Sequence, residues 1–234
     1  MDIWAVKETC LDRYYERASV PLQADWTVVD VGGGLGDFTV HAARSCPKGK
    51  VYAYEPFPES FALLEENVRG NELKNVRAFP CAVTGAGRDS LTLYKTGNAC
   101  QHRTIGPDGD GSSAVRVPST TLARIFEDHR IETCDFLKID CEGGEYEILF
   151  ECPESTLARI RTICLEYHDG VTPYSHTDLV RFLTGKGFRV GLLPSRAHTE
   201  LGYLHAENLT VGRGRSLRER RPRESDERGK RPAC

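Results

Sequence analysis

The stretch VVDVGGGLGDFTV, residues 28–40, constrains this chain more than any other. The apolar run over residues 26–31 predicts a strand buried on both faces, as in a parallel sheet. A helical pattern over residues 37–44 follows at once. Between the two, Gly32, Gly34 and Gly36 permit a tight turn and let a ligand approach the backbone closely. Counted from Asp30, the spacing is D-x-G-x-G-x-G. A dinucleotide loop, G-x-G-x-x-G/A, would set a pyrophosphate on the helix N-terminus. Here Asp37 takes the sixth position counted from Gly32, where a carboxylate repels a phosphate. The loop therefore suits a ligand that carries no phosphate at that point.

Strand and helix patterns go on alternating. Residues 51–54 predict a second strand, and residues 58–69 a helix with Phe61, Leu64 and Val68 along one face. A third strand is expected over residues 76–83, with Pro80 awkward near its middle. Residues 91–94 and 114–117 predict a local strand pair. The long loop between them, residues 97–113, is a candidate cover for the substrate. Then come a helix (120–129), a strand (136–140), a helix (145–150), a strand (163–167), a helix (177–184) and two strands (188–193 and 201–209). This order predicts an α/β fold, a mostly parallel sheet with helices on both faces. The 234 residues suit one domain, placed at residues 1–211.

Composition excludes several classes. No stretch approaches the ~20 apolar residues of a membrane span. The first residues lack the basic-then-apolar order of a secretory signal. The nine cysteines are scattered without CxxC pairs, so reduced thiols in a cytoplasmic protein are expected, not a disulfide scaffold or a zinc ribbon. The net charge of −3 hides an asymmetry: Arg213 to Cys234 hold nine basic and four acidic residues, a local +5, which leaves −8 on the rest. Residues 212–234 are expected to form a disordered basic tail, with Leu217 their only large apolar residue. An acidic body disfavours nucleic acid as a partner, because phosphate contacts dominate such affinity.

Further residues carry chemistry. Glu55 closes the second strand, where a carboxylate can accept both hydroxyls of a ribose. Asp140 and Glu142 leave one strand, and Glu166 and His168 the next, at the carboxyl edge where ligands bind in such sheets. Period two puts each pair on one side of its strand. His168 is the preferred general base, since an unperturbed pKa of about 6.5 suits proton abstraction near neutrality. Asp140 is the alternative base, or a positioning acceptor. Lys138 is expected in packing or an ion pair, and Glu145 as an acid favoured at a helix start. Asp140, Glu142 and His168 could ligate a divalent ion, but their spacing does not require one and no metal is assigned. His102, His129 and His198 lie in polar stretches and are expected to be solvated.

The glycine loop resembles the first motif of class I methyltransferases, which bind S-adenosylmethionine. The run FLKIDCEGGEYEILF, with Lys138, Ile139, Asp140, Glu142, Gly143, Glu145 and Leu149, resembles the FkbM family of these enzymes. So do the stretch VPSTTLARIFEDHRIETCD before it and ICLEYH after it, and the resemblance covers residues 26–168. It implies a Rossmann-like class I methyltransferase fold of seven strands, the last antiparallel. It implies S-adenosylmethionine as cofactor, with Gly32, Gly34 and Gly36 under its methionine part, Asp30 at its ammonium end or orienting the loop, and Glu55 on its ribose. His168, with Asp140 or Glu142, would activate a hydroxyl of a sugar, a glycan or a polyketide-like natural product. No Asn/Asp-Pro-Pro-aromatic run follows the strand at 136–140, as amino-methylating enzymes would have there, and Pro80-Cys81 lies in the wrong strand for a cytosine-methylating nucleophile. The competing readings are a nucleic-acid or protein methyltransferase that uses the basic tail, and a non-catalytic cofactor-binding regulatory protein. The N-terminal segment, with Trp4, Tyr14 and Tyr15, is either a cap over the site or a contact in a homodimer.

Overall fold

Four of the five residues of β1 (Thr27–Val31) are buried in the computed structural model, as an apolar run at a sheet centre requires. The structure describes Tyr15 and residues 20–85, 87–94, 114–195 and 199–211. After β1 come α1 (Asp37–Ser45), β2 (Lys50–Tyr54), α2 (Pro58–Gly70), β3 (Val76–Phe79), β4 (Ala82–Val83), β5 (Ser90–Tyr94), β6 (Ala114–Thr120) and α3 (Leu122–Asp128). The chain continues through β7 (Phe136–Ile139), α4 (Glu145–Phe150), α5 (Glu154–Leu157), β8 (Thr162–His168), α6 (His176–Gly185), β9 (Phe188–Pro194) and β10 (Leu201–Asn208).

Seven strands form the main sheet in the order β3-β2-β1-β7-β8-β10-β9. β1 pairs in parallel with β2 and β7, β7 with β8, and β2 with β3. Only β10 runs the other way, slotted between β8 and β9. This is the Rossmann-like methyltransferase architecture, and its last strand is the antiparallel one.

Strand alternation splits the core in two. Val28, Phe136 and Cys164 pack with Phe38 and Ala42 of α1 and with Tyr15 and Tyr203. Val29, Leu137, Ile139 and Leu165 pack on the opposite face with Ile125, Leu149 and Leu183 of α3, α4 and α6. Asp30, Lys138 and Glu166 alternate onto the α1 face. The sheet therefore carries a file of polar groups on the side that Tyr15 covers. α6 starts on a capping box between Ser175 and Asp178, which satisfies two of its orphan N–H groups.

The third strand differs from its expected span. It stops at Phe79, and Ala82 and Val83 instead pair with β6 in a separate three-stranded sheet. Pro80 supplies no N–H to a ladder, so the chain leaves one sheet there and enters another. Short α5, opened by Pro153, had no periodicity long enough to announce it. His129 is not simply solvated: it stacks on Tyr52 and bonds the Tyr54 hydroxyl at 2.9 Å. The six described cysteines are all free thiols. Among the described residues no helix is long and apolar enough to cross a membrane. The expectations for loop 97–113, for the tail 212–234, and for Trp4, Tyr14, His102 and His198 lie outside the described residues.

Candidate active site

The glycine loop spends its amides internally. Gly32 and Gly33 both donate to the Tyr54 carbonyl, at 2.9 and 3.0 Å, and Gly36 donates to Gly33 at 2.8 Å. Gly34 donates to Glu55 Oε2 at 2.8 Å, and Phe57 N to Glu55 Oε1 at 2.9 Å. A phosphate-binding loop presents free N–H groups; this one presents a carboxylate. Glu55 is nearly buried, and burial pushes its pKa up to about 7 although the Phe57 and Gly34 amides favour the charged form. Two glycines are favoured for different reasons. A Cβ on Gly32 would lie 1.7 Å from the Asp140 carbonyl oxygen, whereas Gly34 has φ +53° with nothing within 4 Å of a Cβ. The loop thus seats its first glycine on the β7 exit and keeps open space above its third.

Beneath the loop lies a buried ion pair. Asp30 is fully buried and accepts from the Thr39 hydroxyl at 2.6 Å. Its other oxygen lies 3.3 Å from Lys138 Nζ, an ion contact rather than an aligned hydrogen bond. Lys138 donates instead to the Gly32 carbonyl at 2.5 Å and lies 3.9 Å from Asp140. Burial opposes the Lys138 charge, but Asp30 and Asp140 outweigh it and hold the ammonium above its usual pKa. Of the two roles open to Lys138, the ion pair is the one observed. Asp30 is buried under the loop, bonded to Thr39 of α1 and paired with Lys138, which in turn bonds the Gly32 carbonyl.

The β7 and β8 ends hold the second group. Asp140 takes a hydrogen bond from the Tyr15 hydroxyl at 3.1 Å, so Tyr15 reaches into the site from the α1 face. Tyr15 is itself gripped edge-on by Phe38 and Tyr203, at 5.2 and 5.5 Å. Glu142 has φ +54°, a left-handed conformation costly for a residue with a Cβ. That turn aims its carboxylate to within 3.5 Å of His168 Nε2. The other ring nitrogen, Nδ1, lies 3.1 Å from Glu145 Oε1. Glu145 is wholly buried and receives the backbone N–H of Cys141 and of Gly143, each at 2.9 Å. It therefore shapes the turn and holds the imidazole with one carboxylate.

His168 sits in a strongly acidic environment. Its ordinary pKa made it the preferred neutral base. Burial does lower the pKa, but Glu145 above all, then Asp140 and Glu142, outweigh burial and raise it to about 10. The surrounding carboxylates therefore favour the protonated ring. The acceptors at hand in that state are the carboxylates around it.

The family model for the FkbM methyltransferase domain matches residues 30–190. The chain belongs to the FkbM methyltransferase family. Among its relatives is the 31-O-demethyl-FK506 methyltransferase FkbM of Streptomyces tacrolimicus, 27% identical, covering 79% of this chain and 80% of that one. The AMB antimetabolite synthetase AmbE of Pseudomonas aeruginosa is 26% identical over 81% of this chain, which spans only 11% of the synthetase. In three dimensions the fold is similar to the methyltransferase FkbM of Methylobacillus flagellatus, with TM-score 0.55 and 15% identity, over 86% of this chain and 52% of that chain.

Within this FkbM domain, sequence reasoning brought Asp140, Glu142 and His168 to one edge, and there they are found. It undervalued Glu145, which it read as a favourable helix-start acid. The signal was present: in CEGGE a glutamate follows two glycines, and it can fold back onto the amides of its own turn. It also left Tyr15 between two roles, because no local pattern ties residue 15 to residue 140.

Proposed function

We propose that this domain transfers a methyl group from S-adenosylmethionine to a hydroxyl of a sugar, a glycan or a polyketide-like natural product. The observation that carries the reading is the meeting of two built parts at one sheet edge. The glycine loop, its amides spent and its third glycine open, packs by Gly32 against the Asp140 carbonyl, and Asp140 begins the acidic cluster around His168.

The donor set fits the cofactor. Glu55 would accept the ribose hydroxyls, and the backbone at Gly32, Gly34 and Gly36 would lie under the methionine part. A loop with free amides would favour a pyrophosphate, and this loop has spent those of Gly32, Gly33, Gly34 and Gly36. The cofactor supplies an already activated methyl group, so the protein's work is positioning and proton removal. Glu142, held in its strained turn, accepts the proton of the acceptor hydroxyl. Asp140, fixed by Tyr15 and Lys138, positions that hydroxyl. His168, fixed by Glu145, holds Glu142 in place and balances its charge. A positioned base of this kind contributes roughly 10²–10⁴-fold.

The test is calorimetric titration with S-adenosylmethionine, S-adenosylhomocysteine and NAD, followed by incubation of labelled cofactor with a panel of hydroxylated acceptors. Binding of the first two, lost in Glu55→Ala, with label on an acceptor oxygen, is the expected result. Binding of NAD alone would overturn the reading. Cofactor binding with no transfer to any hydroxyl would move it to a regulatory role.

A further inference from the structure

We infer that the carboxyl edge of β7 and β8 binds one divalent cation through Asp140, Glu166 and His168. The ion's role in transfer rests on the reading above, while its binding does not.

One ligand atom from each of the three residues lies within 4.8 Å of the other two. Two carboxylates and an imidazole from three separate positions make a set that suits a divalent ion and leaves coordination sites open for a substrate oxygen. The residues stand on rigid supports. Glu166 and His168 share one side of β8 by strand alternation, and Asp140 follows the last residue of β7, the neighbouring parallel strand.

A second observation concerns His168 alone. Its side chain is 7% exposed, and its Nδ1 is committed to Glu145, which is fully buried and pinned by two backbone N–H groups. A ligating histidine commonly gives its far N–H to a carboxylate in this manner, which fixes the ring and turns the near nitrogen toward the ion. Here the near nitrogen is Nε2, which without an ion faces Glu142 at 3.5 Å; a bound ion would take its place and balance the Glu142 charge instead.

Charge points the same way. Asp140, Glu142, Glu145 and Glu166 gather about one imidazole. The nearby Lys138 ammonium lies 3.9 Å from Asp140 but closer to Asp30 and the Gly32 carbonyl, so it balances only part of this charge. A divalent ion would offset this surplus, and a hydroxyl bound to it would become more acidic. The O–H bond would break with its electron pair left on oxygen and its proton passed to Glu142, which stays outside the ligand set.

The experiment is a titration of the full chain with Mn²⁺, read by the electron paramagnetic resonance signal of the free ion. One Mn²⁺ per chain is expected. Glu166→Gln should weaken binding tenfold or more. Glu145→Gln, which removes no ligand, should weaken it roughly 10–100-fold. Glu154→Gln, on an exposed carboxylate paired with Lys186, should leave it unchanged. An unchanged far-ultraviolet circular dichroism spectrum shows that each variant folds. Absence of saturable Mn²⁺ binding, or equal binding by wild type and Glu166→Gln, overturns the ion site. If Mn²⁺ binds and no acceptor is methylated, the ion site stands and the transfer reading falls. If transfer proceeds unchanged in EDTA and no Mn²⁺ binds, the reverse holds.

Discussion

Around Glu55, loop amides meet one carboxylate and the buried Lys138 balances Asp30 below; around His168, four carboxylates crowd one imidazole. The first region is closed in charge and hydrogen bonding. It can be a preformed cradle, because both Glu55 oxygens accept a backbone N–H and the buried Asp30 has Lys138 as counter-charge without a ligand. The second region is strained at Glu142, partly open at Asp140 and Glu166, and overcharged. Such a site gains most when something else arrives, whether an acceptor hydroxyl or a cation. The contrast separates holding, at the β2 end, from chemistry, at the β8 end, with β1 and β7 between them.

The largest expected effect breaks the closed side. Lys138→Ala leaves Asp30 buried without its counter-charge and frees the Gly32 carbonyl. Breaking a buried pair this way costs about 3–5 kcal/mol. Urea denaturation should show that loss, and a loss near zero would mean that the loop is held by packing alone.

Next comes the open side. Glu145→Gln keeps the size of the side chain but removes the carboxylate that holds His168 and the turn. Methyl transfer should fall roughly 10–100-fold, with S-adenosylhomocysteine affinity nearly unchanged. An equal loss of cofactor affinity would show that the two regions are one unit.

The third prediction uses pH on the closed side. A Glu55 pKa of about 7 lies above the ordinary carboxyl value, so folding takes up a proton there. Its contribution to stability is therefore lost as pH rises from about 4.5 toward 7. Cofactor binding runs the other way, because the carboxylate accepts two hydroxyls better than the acid does. Affinity for S-adenosylhomocysteine should rise roughly tenfold from pH 6 to pH 8, and both trends should flatten in Glu55→Gln.

The smallest effect lies beside the open region. Asp169 accepts the Tyr146 hydroxyl, the His176 amide and the His176 ring, which together hold its pKa below the usual range against partial burial. A depressed carboxyl stabilises above its unfolded pKa and loses that stabilisation as pH falls through and below about 4. Asp169→Asn should remove that acid-side slope and cost about 1 kcal/mol at neutral pH, since the amide oxygen keeps two of the donors. Thermal unfolding at several pH values measures both.

Most of the frame was legible before any coordinates. The apolar run into Gly32, the acid after the second strand and the carboxylates after the later strands follow from local pattern; period two places Glu166 and His168 on one side of β8, whereas β7 ends at Ile139 and a left-handed turn, not strand alternation, places Glu142. Pro80 marked the break between β3 and β4, but a missing N–H says only that one ladder must end, not that another sheet waits to take the chain.

Chain order determined the α/β alternation, the position of the glycine loop and which acids reach the carboxyl edge, because each depends on neighbours a few residues apart. Tertiary structure alone decided that Lys138 neutralises Asp30, that Tyr15 reaches Asp140, and that Glu145 and Glu142 flank His168 and raise its pKa. Those outcomes depend on charges brought together from distant parts of the chain into a medium of low polarity. There a proton's affinity is set by which groups become neighbours, not by which residue carries it.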